Sequence, residues 1–374
     1  MQLFNCECDS LVFFENTQCT DCGRTVGFDP ISRSMLALEA APAAELLSPQ
    51  TGNAYRRCAN WLEYDACNWL VPVEERDARY CKACRLNDCV PDLSNETHLA
   101  LWKRMEAAKR RLLYTLLTLG LPLASQAEAE NGLAFRFLAD HRLGTNPDGP
   151  QVMTGHASGV ITINLAEADE VERIQTRQQM GEAYRTLLGH FRHEIGHYYW
   201  DVLVRDSPHL TGFRELFGDE RIDYAHALEQ HYAAPPDPNY ADHYVSAYAA
   251  SHPWEDWAES WAHYLHLVDG LETASTLGIQ THKHARRLVE PTWTPIGSSA
   301  ELTSGQFEQT PRFEQSLQFE QSLRAWTWLS LAMNELNRSL GMRDCYPFAL
   351  SAPVMRKLEL VHGVVTSSAP GEHS

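Results

Sequence analysis

The sequence predicts an α+β chain, mostly helical with a small sheet, preceded by two small modules each built on four cysteines. Three observations lead there. Apolar residues recur at helical spacing through long proline-free stretches such as Glu182–Leu203. Gly159–Leu165 alternates β-branched side chains as a strand does. Eight of the ten cysteines fall within the first 84 residues, six of them in short hooks.

At 374 residues and 44% hydrophobic, the chain can build one sizeable core plus a small domain. No apolar run is long enough to span a membrane. The net charge is −18, and Met1–Asp92 carries eight Lys or Arg against fourteen Asp or Glu, a net −6. A phosphate-binding surface needs clustered cations. Nucleic acid is therefore not an expected partner, and the cysteine modules are expected to act structurally or in docking protein.

Residues 1–30 form the first module. Cys6-x-Cys8 and Cys19-x-x-Cys22 are hooks ten residues apart, and Gly23 allows the tight turn that a metal-bound thiolate needs. Phe13 and Phe14 read as the apolar cover of a zinc ribbon. Residues 31–52, rich in Ala, Leu, Glu and Pro, read as a connector with some helix. Residues 53–95 form a second four-thiolate unit from Cys58, Cys67, Cys81 and Cys84, leaving Cys89 and Cys345 over. Disulfides are the alternative reading of this count. Paired hooks suit zinc better, and the opening MQLFNCECDS has no basic stretch followed by an apolar one, so no signal peptide is expected. Free thiolates imply a reducing compartment, the cytoplasm.

Residues 96–365 are expected to form the main core. Glu96–Leu119 reads as a long helix, with Asn95 as its cap and Gly120–Pro122 as its stop. Pro147–Pro150 marks a loop. The strand at Gly159–Leu165 reads either as an edge that an extended substrate could join or, more plainly, as an ordinary sheet strand.

The helix expected over Glu182–Leu203 carries His193-Glu194-Ile195-Gly196-His197, the H-E-x-x-H pattern of zinc-dependent hydrolases. Residues four apart share a helix face, so His193 and His197 can reach one metal ion. Glu194, one step round, can hold a water and take its proton. Gly196 costs about 1 kcal/mol against Ala in a helix, and room beside the metal would explain it.

A third ligand is expected from Ser251–Leu267, SHPWEDWAESWAHYLHL. Trp254, Trp257 and Trp261 make one helix face, read as core packing. Glu255 and Glu259 lie four apart on another. One can ligate the metal while the other accepts the free ring N–H of a ligand histidine. Asp219 and Glu220 read as cap or ion-pair residues, and His156, His190 and His252 as packing. Phe307-Glu308-Gln309, Phe313-Glu314-Gln315 and Phe319-Glu320-Gln321 form a six-residue repeat, read as a tandem duplication that is partly helical or a flexible loop. Ala325–Leu340 reads as a helix and 366–374 as a disordered tail.

Together these segments resemble two groups of proteins. The site is similar to the gluzincin type of zincin, in which H-E-x-x-H is completed by a distant Glu with an acidic residue four positions on. That resemblance implies a zincin-like core, with Glu255 as ligand and Glu259 behind it, Glu259 being the alternative ligand with His263 in support. SAYAASHPWE is similar to the active-site helix of anthrax lethal factor, which implies that Tyr248 donates to the oxyanion of the intermediate. FNCECDSLVFFENTQCTDCGRTVGFDP, CNWLVP, ITINLAEAD, YRTLLGHFRHEIGHYYWDVL, FRELFGDER, SHPWEDWAESWAHYLHLVD and YPFALS resemble the bacterial family of zinc-ribbon, zinc-binding metallopeptidases. The resemblance implies peptide or protein substrates, one catalytic zinc and two structural zincs. Hydrolysis of a non-peptide amide or conjugate, and a non-catalytic zinc-stabilised binding module, are the alternatives.

Overall fold

The computed structural model describes residues 2–42, 45–140, 143, 152–180, 182, 184–235, 237–279 and 312–368. The N-terminal hooks sit on two very short paired strands, β1 (Phe4–Asn5) and β2 (Leu11–Val12). A five-stranded antiparallel sheet follows, in the order β3 (Thr25–Asp29), β4 (Ser34–Ala40), β5 (Leu46–Leu47), β6 (Ala54–Arg57) and β7 (Leu70–Pro72). The expected connector is thus sheet rather than helix. Its Ala, Leu and Glu are good helix formers, but propensity is a weak preference that tertiary context overrides, and pairing of Met35–Leu38 with Thr25–Phe28 buries Met35, Leu36, Ala37 and Leu38 at once. Helix α1 (Ala59–Tyr64) starts directly after Cys58.

Phe14, Phe28, Trp69 and Tyr114 form a ring cluster with centroid separations between 4.7 and 6.4 Å. Phe14 therefore belongs to the core, while its neighbour Phe13 is exposed. Tyr114 lies on α2 (Glu96–Thr118). The Asn95 carboxamide oxygen accepts from the Thr97 and His98 amides, and Gly120 ends the run at φ 67°. Leu101, Trp102, Met105, Leu112 and Leu116 line the buried face.

A second sheet has the order β10 (Gly155–Ala157), β11 (Val160–Asn164), β9 (Ala134–Leu138) and β8 (Asn87–Cys89). The strand expected from its β-branched residues is β11, and it lies inside the sheet between β10 and β9. Both its hydrogen-bonding edges are occupied, so the plainer reading of β11 holds, and the edges of this sheet are β10 and β8. Helix α3 (Glu170–Gln179) follows, capped by Asp169.

Helix α4 (Leu187–Leu203) carries HEIGH and begins five residues later than its periodicity suggests. Thr186 caps it by accepting from the Gly189 amide, and Arg185 is held outside it by Glu167 and Glu182. The chain continues through α5 (His209–Phe217), α6 (Tyr224–Ala233), α7 (Pro253–Thr276), α8 (Arg312–Ser339) and α9 (Ala352–Ser368). His252 caps α7 and Pro253 opens it, while Trp257 and Trp261 are fully buried. The second and third Phe-Glu-Gln repeats fall in α8. The first lies outside the described residues, as do Pro147–Pro150 and 369–374, and Thr366–Ser368 close α9 rather than starting a tail.

Two compact units emerge. One holds residues 2–117 and 122–191, and the other holds 118–121 and 192–374. The first contains both cysteine modules and the second sheet, and the second contains the HEIGH residues. Among the described residues, no helix is long and apolar enough to cross a membrane.

Candidate metal centres

The residues singled out from the sequence converge at three places. His193, His197 and Glu255 offer ligand atoms that all lie within 4.8 Å of one another. The two Nε2 atoms are 3.2 Å apart, and Glu255 Oε2 is 3.0 Å from that of His193 and 3.6 Å from that of His197. A tetrahedral ion with bonds of about 2 Å holds its ligand atoms about 3.3 Å apart.

The chemistry of the donors agrees with this spacing. Glu259 Oε1 lies 2.8 Å from His193 Nδ1 and fixes the proton there, while Ser246 donates to Glu259 Oε2 at 2.7 Å. The Nε2 lone pair of His193 then faces a carboxylate oxygen, a repulsive arrangement unless a cation lies between them. Electrostatics carries the same demand. Burial would depress the His193 pKa, yet Glu255 and Glu259 raise it well above the ordinary value. Burial would likewise raise Glu259, yet His193 holds it down at about 2. A metal ion held there would satisfy what a proton otherwise must.

The close approach of two helices creates this cluster. A Cβ on Gly196 would stand 3.0 Å from Ala258 Cα and 3.1 Å from Trp261 Cβ, and Trp257 Nε1 donates to the Gly196 carbonyl at 2.9 Å. Gly196 thus makes room for α7, not for the metal as its position in the motif suggested. Glu255 then falls on the histidines, and Glu259, one turn on, falls behind His193.

Glu194 is 7% exposed. Its charge, with that of Glu255, bears on Tyr248, whose ring lies 5.9 Å from that of His193. Burial and then Glu255 push the Tyr248 hydroxyl far up, so it remains a proton donor. Tyr224 was not apparent from the sequence. Its hydroxyl donates to Glu255 Oε1 at 2.7 Å, and no spacing rule links positions 31 residues apart. Asp219 and Glu220 pair with Arg221 and Arg214. His252 caps α7, His156 accepts from the Gly159 amide, and His190 faces Glu167.

The cysteines gather into two fours, Cys6, Cys8, Cys19 and Cys22, and Cys58, Cys67, Cys81 and Cys84. Sulfur separations are 3.6 and 3.7 Å in the first and 3.6 Å for Cys67 to Cys81 and to Cys84. A disulfide needs about 2 Å, whereas four thiolates on zinc at about 2.3 Å lie about 3.8 Å apart. All ten cysteines are free of disulfides. Cys8 and Cys22 are exposed, but the second four are wholly buried. Arg110 of α2 is buried beside them; burial works against its charge, yet Cys67, Glu106, Cys84 and Cys81 hold its pKa above the ordinary value. Fully buried Lys109 pairs with Glu106 at 2.8 Å, and Glu106 Oε2 lies 3.8 Å from Cys84 Sγ.

Comparison with known proteins agrees with this chemistry. Residues 3–95 match a zinc-ribbon domain. Uncharacterized proteins of Mycobacterium bovis and Mycobacterium tuberculosis are 39% identical to the chain over 373 residues, covering 99% of it and 97% of each relative. No solved structure matches the chain. Residues 98–364 match the family described as "Putative zinc-binding metallo-peptidase", and with most of its length so matched the chain belongs to that family.

Proposed function

We propose that the chain hydrolyses peptide bonds with a water activated at the His193–His197–Glu255 cluster. The observation that carries this reading is the trio of ligand atoms 3.0–3.6 Å apart with Glu194 adjacent on the same helix. Zinc held there by His193, His197 and Glu255 would lower the pKa of water toward neutrality and polarise a carbonyl.

The remaining work falls to side chains. Glu194 takes a proton from the attacking water and passes it to the leaving amine. Tyr248 donates to the oxygen that gains charge as the carbonyl carbon becomes tetrahedral. Glu259 fixes the His193 tautomer through Nδ1, and Ser246 fixes Glu259. A binding module without catalysis would need neither Glu194 nor a buried phenol kept protonated beside it. The two cysteine clusters hold structural zinc in this reading, and their acidic surroundings favour protein over nucleic acid as a partner.

Glu194→Gln keeps the shape and volume of the side chain but removes the base. It is expected to retain zinc at the wild-type level and to lose peptide hydrolysis by about 10²-fold or more. Wild-type turnover in that variant would overturn the assignment.

A further inference from the structure

Glu255 presents its two oxygens to different partners. Oε2 faces the Nε2 atoms of His193 and His197, at 3.0 and 3.6 Å. Oε1 accepts the hydroxyl of Tyr224 at 2.7 Å.

Tyr224 is held in place by its helix and its ring contacts. It is the first residue of α6, and the Asp223 carboxylate caps that helix by accepting from the His226 amide. Its ring packs edge-on against His252 at 5.1 Å and tilted against Trp254 at 6.2 Å. His252 itself caps α7, the helix that carries Glu255. One tyrosine thereby ties the start of α6 to the start of α7 and ends its reach on the carboxylate.

We propose that Tyr224 is a positioning residue that holds Glu255 through Oε1 and so aims Oε2 at the position between His193 and His197 where a metal ion would sit. The inference rests on the reading of His193, His197 and Glu255 as a zinc site. Tyr224 touches neither water nor substrate in this role. Its effect on the metal position runs through Glu255, so for zinc affinity removing its hydroxyl matters only while Glu255 is present.

The test is a double-mutant cycle on zinc affinity in the full chain. Zinc is titrated against a chelator of known affinity, with Tyr224→Phe, Glu255→Ala and the pair together. Tyr224→Phe keeps the ring and its packing, and Tyr224 is 38% exposed at a helix start, so the fold is expected to persist and the melting temperature reports on it. The expected result is zinc affinity about 10- to 100-fold weaker in Tyr224→Phe, with no further loss when the change is added to Glu255→Ala. Affinity within twofold of wild type in Tyr224→Phe would overturn the proposal, as would an equal loss in the Glu255→Ala background. The His193→Ala/His197→Ala variant separates this from failure of the underlying reading. If that variant keeps its full zinc complement, no zinc resides at HEIGH, and the functional reading falls before Tyr224 is tested.

Discussion

Among single residues, Gly196 has the clearest mechanical role. Its missing side chain lets α7 approach α4 so closely that a Cβ would be tightly crowded, with Ala258 Cα and Ala258 O 3.0 and 3.3 Å from where it would stand. Gly196→Ala sets two effects against each other. Alanine favours the helix by about 1 kcal/mol, but the obstructing atoms are helix backbone and cannot move alone, and such overpacking costs about 1–3 kcal/mol. We expect a lower melting temperature, and zinc affinity at HEIGH reduced because Glu255 is carried away with α7. A more stable variant with unchanged zinc binding would show that the gap absorbs a methyl group. This residue also marks the limit of spacing arguments. The i and i+4 rule brings His193 and His197 together and puts Glu255 and Glu259 on one face. Which carboxylate meets the metal depends on the depth at which two helices meet, and that depth is set by atoms on both.

At the scale of elements, the helices with both a cap and an apolar stripe are readable from sequence to within a residue or two, as α2 and the start of α7 show. The connector is not, because cross-strand pairing outweighs a weak helix preference. The start of α4 is displaced by a cap at Thr186 that its apolar periodicity extends past. Packing among the last helices carries a pH dependence. His362 of α9 stacks on Phe319 of α8 at 4.4 Å and shares a hydrogen bond with Tyr264 of α7 at 3.1 Å. Burial pushes its pKa down to about 4. The unfolded chain therefore binds the proton first, between about pH 6.5 and 4. The neutral ring contributes its full stability above pH 6.5, and this is lost as pH falls toward 4, at most about 3 kcal/mol. His362→Leu is expected to flatten the decline in melting temperature across that window. An unchanged decline would assign the acid sensitivity elsewhere.

For the molecule as a whole, the natural unit of account is the number of metal ions per chain. About three zinc are expected by elemental analysis, and about two after His193→Ala/His197→Ala. Arg110→Met tests the inner cysteine cluster separately. It leaves buried thiolates facing methylene groups instead of a guanidinium, and the zinc held there is expected to exchange with a chelator at least tenfold faster, while the Cys6 cluster is unaffected. Equal exchange from both clusters in wild type and variant would remove Arg110 from this role. Arg110 lies in the segment matched by the peptidase family, and the cysteines it faces lie in the segment matched by the zinc ribbon. A junction near residue 96 is therefore no seam for genetic exchange. A recombined gene joining this ribbon to a foreign partner would inherit an anionic pocket without its cation, so the two halves are expected to descend together.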